Sequence, residues 1–128
     1  MWNYEPVMYG WPQGHVPVRK PPADAKAVWE IASKIEDGAA GLHPTQKPVE
    51  TVRRPIEYHT LPGELLYEPF CGSGTALIAA EQTGRVCYAI EQSAAFVDAA
   101  VARWERFSGR SAELQKSEDT AKRSRHGT

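Results

Sequence analysis

A glycine-rich turn at residues 71–75 is the feature of the sequence best suited to hold a ligand. The segment CGSGT follows the apolar run ELLYEPF and precedes the alanine-rich run ALIAAEQTG. Gly72 and Gly74 permit positive φ angles and close backbone approach, and a helix that begins here offers free N–H groups. Glu91 follows Gly72 by about 20 positions, where an acidic side chain can accept both hydroxyls of a ribose. The pattern therefore predicts a ligand that contains a ribose.

The residues around this turn narrow the class of ligand. Leu77 stands where a dinucleotide fingerprint has its third glycine, and the Gly-Lys-Ser/Thr of a phosphate-binding loop does not follow. Glu68 would repel a phosphate and suits a cationic group, such as the amino group of a methionine moiety. The alternative is a strand-to-helix turn without a ligand. Glu68, Phe70 and Glu91 together favour the ligand.

The elements that must position the turn lie in residues 42–109. ELLYEPF indicates a buried strand and RVCYAIE a second apolar strand. A right-handed crossover through the helix GTALIAAEQTG, which Gly84 ends, would make them parallel neighbours. TQKPVETVRRPIEYHT predicts an earlier helix capped by Thr45, in which Pro55 causes a kink or an early end. SAAFVDAAVARWERFSG predicts a last helix, capped by Ser93 and ended by Gly109. One side of that helix carries Phe96, Ala99, Ala100, Arg103 and Trp104.

The flanking segments are less regular. Residues 1–41 are rich in Pro, Gly and Trp; NYEPVMYGW alternates as a strand does, and QGHVPVRKPP indicates a loop. ADAKAVWEIASKI fits a helix by propensity, whereas Val28–Ile31 at its centre fits a short strand. Residues 110–128 are polar and predict a disordered tail. The sequence thus predicts a core with two extensions.

The composition of the chain excludes few classes of function. The formal net charge of −1 gives no basic excess that would announce a nucleic-acid partner. Two cysteines without metal-ligand spacing, no signal peptide and no membrane-length apolar run indicate a cytoplasmic protein with reduced thiols. Several arginines could contact phosphates, although solvated helix faces are the simpler interpretation. They are Arg53, Arg54, Arg103, Arg106 and Arg110.

Two motifs resemble those of a known family. EPFCGSGT resembles the S-adenosylmethionine-binding motif of amino-group DNA methyltransferases, the adenine-N6 and cytosine-N4 class, and HPTQKP at residues 43–48 resembles their other cofactor motif. The similarity extends over residues 43–107, and YEPVMYGW and AVWEI loosely resemble the segment that precedes the cofactor half. The resemblance implies a partial Rossmann-like α/β fold: a parallel β-α-β-α unit with an N-terminal strand or hairpin. It also makes Val28–Ile31 a strand.

The resemblance implies which residues bind S-adenosylmethionine. Glu68 would lie near the methionine amino group, Glu91 at the ribose hydroxyls, and Lys47 near the carboxylate unless it is only a solvated lysine. Phe70 would form an apolar wall. The implied set is Thr45, Gln46, Lys47, Glu68, Phe70, Cys71, Gly72, Ser73, Gly74, Thr75 and Glu91. No catalytic or metal-binding residue is assigned, and Cys71 is not interpreted as a nucleophile.

The catalytic motif of the family is not found in this chain. Family members flip the target base out of the duplex and hold its exocyclic amine with an Asp/Asn/Ser-Pro-Pro-aromatic motif, whereas the Pro-Pro here lies in KPPA. The resemblance therefore implies the cofactor-binding half of a site-specific DNA methyltransferase of the restriction–modification type. Its partners would be DNA and a missing N-terminal catalytic half or second chain. The alternatives are an inactive remnant, a cofactor-binding module that forms homo-oligomers through YEPVMYGW, and a methyltransferase for RNA or small molecules.

Overall fold

The computed structural model describes residues 4–32 and 46–115 as five elements and their connections. In chain order these are α1 (Val49–His59), β1 (Leu65–Glu68), α2 (Thr75–Thr83), β2 (Val86–Ala89) and α3 (Ala94–Ser108). β1 and β2 pair in parallel, with Leu65 opposite Val86 and Glu68 opposite Ala89. The predicted parallel β-α-β-α unit of a Rossmann-like α/β fold is therefore confirmed.

The core forms where the three helices meet, with α2 between the other two. Its buried apolar side chains are Ile56 of α1, Ala76, Ile78, Ala79 and Ala80 of α2, and Ala100 of α3. Most of these residues are alanines, so the helix backbones can approach closely. Gly84 and Gly109 end α2 and α3 in the left-handed conformation, as the sequence predicted.

The two faces of the sheet differ in burial. Leu66 and Cys87 are half-buried on the face toward the helices, whereas Leu65, Tyr67, Val86 and Tyr88 are exposed on the other. Side chains alternate between the faces along each strand, and the register aligns the two exposed pairs side by side. The opposite face therefore presents an uncovered row of apolar side chains.

The strand predictions for the N-terminal segment are wrong. Residues 4–32 contain neither helix nor strand, so YEPVMYGW is not a strand or hairpin and Val28–Ile31 is not a strand. Five prolines between residues 6 and 22 remove ladder N–H donors and fix φ angles. The segment instead contacts α1 through rings: Tyr9 stacks on His59 with centroids 4.5 Å apart, and Trp29 meets Tyr58 edge-on.

The predictions for α1 are corrected at its start and within it. The helix begins at Val49 with Pro48 at the N-cap position, and the predicted cap, Thr45, lies outside the described residues. Pro55 does not end the helix, which continues to His59. Side chains one turn apart support it, because Arg53 donates to Glu50 at 2.8 Å and to Glu57 at 3.0 Å.

Two further sequence predictions concern the ends of the core. Ser93 occupies the N-cap position of α3, but its hydroxyl makes no capping hydrogen bond. Residues 110–115 follow α3 without helix or strand, and the rest of the predicted tail lies outside the described residues. None of the described helices has the length and apolarity to cross a membrane.

Candidate binding site at the carboxyl edge of the sheet

The glycine-rich turn connects the carboxyl end of β1 to the start of α2. Cys71 N–H donates to the carbonyl of Ile90, which follows β2, at 2.9 Å. Gly74 N–H donates to the carbonyl of Cys71 at 3.0 Å, and this bond closes the turn. Both strands therefore fix the turn at the edge of the sheet where open α/β folds bind ligands.

Glu91 fastens the turn to the start of α3. One carboxylate oxygen accepts the N–H of Gly72 at 2.8 Å, and the other accepts the N–H of Ser93 at 2.9 Å. The carboxylate therefore binds the backbone N–H of the N-cap residue of α3, and the Ser93 hydroxyl makes no capping hydrogen bond. The predicted acidic residue lies against the predicted turn, and the two are joined by a hydrogen bond.

The two glycines of the turn have different roles. Gly74 has φ of 83°, and a Cβ placed on it would lie 3.0 Å from the Cβ of Ala100. Gly72 has φ of 54°, and no atom lies within 4 Å of the position its Cβ would take. Gly74 is thus required by the packing of α2 on α3, whereas Gly72 borders open space.

Arg103 belongs to this site in a role that the sequence did not indicate, because the sequence suggested a solvated helix face or a phosphate contact. Its side chain is only 1% exposed, and its guanidinium donates to the carbonyl of Ser73 at 3.0 Å and to the hydroxyl of Thr75 at 3.2 Å. It also contacts the Ser73 hydroxyl, which is buried with it. The available signal was its place on the inward side of α3, beside Ala99 and Ala100.

Glu68 and Phe70 lie at the entrance of the turn. Glu68 accepts the N–H of Phe70 at 2.8 Å, which bends the chain at Pro69. The Phe70 ring is 86% exposed. An aromatic side chain left in solvent beside an open turn is suited to contact a ligand there.

Residues 46–48 of the HPTQKP motif meet the glycine-rich turn at the start of α2. The hydroxyl of Thr75 approaches the carbonyl of Lys47 at 3.4 Å, which connects residues 46–48 with the glycine-rich turn. The Lys47 ammonium pairs with the carboxylate of Glu5, 2.6 Å from its Oε1. Lys47 is therefore exposed near the turn and already binds a carboxylate. Thr45, assigned to the same motif, lies outside the described residues.

The cysteines beside the turn are free thiols of low acidity. Burial, with smaller contributions from Cys87, Glu68 and Glu91, raises the pKa of Cys71 to about 11. Burial likewise raises the pKa of Cys87. Because the thiolate is the nucleophilic form, Cys71 is poorly suited to nucleophilic chemistry at neutral pH.

Three of the other arginines considered as phosphate contacts bind carboxylates instead. Arg53 and Arg54 both pair with Glu50 on α1. Arg110 pairs with Glu81 and lies over the Trp104 ring, 4.8 Å from its centroid. A phosphate at these positions would have to compete with a carboxylate.

A parallel β-α-β unit, a glycine-rich turn at its carboxyl edge and an acidic residue after the second strand define a Rossmann-like ligand-binding unit. The DNA methylase family model matches residues 10–102. The chain therefore belongs to the DNA methylase family.

Several individual proteins are also similar to parts of this chain. M2.DpnII of Streptococcus pneumoniae, a type II methyltransferase, is 42% identical over 62 residues, which are 47% of this chain and 23% of that protein. The structure of M1.HpyAVI with S-adenosylmethionine matches 66% of this chain and 42% of its own, at 26% identity and a TM-score of 0.55. TTHA0409 of Thermus thermophilus, solved with S-adenosyl-L-methionine, matches 55% of this chain and 30% of its own, at 30% identity and a TM-score of 0.50. The chain spans less than a quarter of the length of the curated relatives that it matches.

Proposed function

We propose that the chain is the S-adenosylmethionine-binding part of a DNA methyltransferase that acts on an exocyclic amine of adenine or cytosine. The observation that carries the proposal is the meeting of the two motif segments, in which the Thr75 hydroxyl approaches the Lys47 carbonyl at 3.4 Å. The match to the DNA methylase family and the two similar structures with S-adenosylmethionine support the same cofactor. The family match also favours DNA over RNA or a small molecule as the substrate.

The charges around the turn suit the cofactor. The methionine moiety of S-adenosylmethionine carries an ammonium and a carboxylate, and the turn is flanked by the anionic Glu68 and the cationic Lys47. Lys47 would exchange Glu5 for the cofactor carboxylate. The side chains of that pair are 48% and 70% exposed, so the exchange costs little, about 0–1 kcal/mol.

Glu91 would hold the ribose without leaving the turn. A carboxylate has about four lone-pair sites, and two of those on Glu91 accept the N–H groups of Gly72 and Ser93. Ribose hydroxyls would donate to the same carboxylate. The open space beside Gly72 would then admit the cofactor against the backbone, with the Phe70 ring as an apolar wall.

Methyl transfer itself would need a part of the enzyme that carries the Pro-Pro-aromatic motif. That motif holds the flipped base, and this chain contains only the Pro-Pro of KPPA. The chain would position the methyl donor, and the second part would present the amine. A role in a cytoplasmic restriction–modification system is consistent with the similarity to M2.DpnII.

Calorimetric titration with S-adenosylmethionine tests the proposal. We expect saturable binding by the chain, and at least a tenfold weaker affinity for Gly72→Asp and for Glu91→Gln. Gly63→Asp is the matched control, because Gly63 also has a positive φ (84°) and open space at its Cβ position but lies outside the turn. No binding to the folded chain, or an equal loss with Gly63→Asp, would contradict the assignment.

A methylation assay tests whether methyl transfer needs a second part of the enzyme. Incubation of the chain alone with tritiated S-adenosylmethionine and mixed-sequence duplex DNA is expected to leave the DNA unlabelled. Labelled DNA would show that the chemistry does not need a second part.

A further inference from the structure

The apolar row on the uncovered face of the sheet continues past β2. We call the open sheet face the set of side chains that share it: Leu65, Tyr67, Val86, Tyr88 and Ile90. They are between 47% and 66% exposed, although each is large and apolar or aromatic. Ile90 belongs to the row because its N–H continues the ladder by donating to the carbonyl of Glu68 at 2.9 Å.

Such a face is unusual for parallel strands. Parallel sheets are normally covered on both faces, and sheets usually contain about four to six strands. Within residues 4–32 and 46–115 the sheet has two strands, so each strand has an outer edge without a ladder partner. The open sheet face and these edges therefore form one surface suited to receive further strands and a covering layer.

The open sheet face is continuous with the candidate binding site. The Ile90 carbonyl accepts the N–H of Cys71 in the turn, and the exposed ring of Phe70 lies at the same edge. A layer on this face would therefore also border a ligand held by the turn. Without that layer, the turn supplies a wall on one side of the ligand only.

We propose that the open sheet face docks the part of a methyltransferase fold that carries the catalytic motif, in the form of a β-α segment with an apolar inner face. The inference rests on the proposed function. M1.HpyAVI and TTHA0409 support this occupant, because the chain matches only 42% and 30% of their lengths. A second copy of the chain would cover apolar surface but would bring no Pro-Pro-aromatic motif to the turn.

Co-expression tests the docking. The full chain is produced with the segment of M2.DpnII that it does not match and, separately, with the unmatched segment of M1.HpyAVI. We expect a soluble one-to-one complex, measured by size-exclusion chromatography with light scattering, in at least one case. The variant Tyr67→Lys/Tyr88→Glu should weaken the complex at least tenfold. Its new charges are opposite across the register pair, so the strands can still associate.

The matched control is Tyr4→Lys/Val7→Glu. These side chains are 67% and 63% exposed, similar to Tyr67, and lie in YEPVMYGW, a second exposed apolar segment. The control should retain the complex. Circular dichroism of both variants verifies that each is folded.

Four outcomes would overturn the docking proposal: no complex with either segment, a complex that survives the sheet variant, loss of the complex in the control, or a homodimer that the sheet variant dissolves. Titration of the chain alone with S-adenosylmethionine separates this proposal from the proposed function. Cofactor binding without a complex refutes docking only. A complex that forms without cofactor binding refutes the cofactor role only.

Discussion

The two ends of the glycine-rich turn are held in different ways. At the end next to α2, Ser73 and Gly74 are buried, Ala100 leaves no room for a Cβ on Gly74, and the Arg103 guanidinium binds the backbone. At the end next to β1, Phe70 is exposed, and Gly72 borders open space while its N–H binds Glu91. A single short segment thus has a packed end next to α2 and an open end next to β1. Substitutions at the packed end should mainly lower stability, and substitutions at the open end should mainly weaken ligand binding.

Gly74→Ala should produce the largest loss of stability. The new methyl group would lie 3.0 Å from the Cβ of Ala100 at a φ of 83°, so strain and overpacking add. We expect the free energy of unfolding to fall by about 2–4 kcal/mol in urea denaturation followed by tryptophan fluorescence. Gly63→Ala, with φ of 84° and no neighbour within 4 Å, should lose only the strain, about 1–2 kcal/mol. Equal losses would show that the contact with Ala100 does not matter.

Arg103→Met should cause the next largest loss of stability. It keeps an apolar stem but leaves the Ser73 carbonyl and the Thr75 hydroxyl without this donor. We expect a loss of about 1–3 kcal/mol in the free energy of unfolding, and weaker S-adenosylmethionine binding because the turn is less firmly held. Arg103→Lys should recover part of both, and Arg106→Met, on the exposed side of α3, should change neither. Loss of stability with unchanged cofactor affinity would limit Arg103 to a packing role.

Alkaline pH should lower the stability of the fold through Cys71, which lies between the two ends of the turn. The pKa of this thiol is raised from 9.0 to about 11, so the folded state favours the protonated form. The resulting stability is fully present below pH 9 and is lost as the pH rises through 11. Denaturation midpoints measured from about pH 8 to about pH 11 should therefore fall, and fall less in Cys71→Ala. Parallel curves for the two proteins would contradict the shift.

Glu5→Gln should have the smallest effect, because Glu5 lies outside the turn in an exposed ion pair. The Lys47–Glu5 pair is solvent-exposed, so the free energy of unfolding should change by less than about 1 kcal/mol. S-adenosylmethionine affinity should remain the same or rise slightly, since Lys47 no longer has a competing carboxylate. A large loss of affinity would show that Glu5 helps to form the site.

The sequence predicted the regular part of the core closely. β1, α2, β2 and α3 lie within the predicted segments, and Gly84 and Gly109 end the helices as expected. These elements are predictable because apolar strand runs, alanine-rich helices and glycine stops are signals encoded within a few residues.

Features that depend on distant residues were not predictable in this way. YEPVMYGW has the alternation of a strand but no ladder partner within the described residues, and its proline disfavours one. The burial of Arg103 depends on backbone and hydroxyl groups 28 to 30 positions away. Lys47 was expected to meet a carboxylate, but the pairing with Glu5 arises from the path of a segment without regular structure.

The open sheet face also has a consequence for how the chain behaves at high concentration. Exposed strand edges and contiguous apolar side chains promote association between identical chains. The strands here are only four residues long, so each edge offers a short ladder, and the apolar face contributes most of the hazard. Aggregation should therefore compete with correct assembly as the protein concentration rises. The concentration up to which the chain stays monodisperse then measures how well that face is covered.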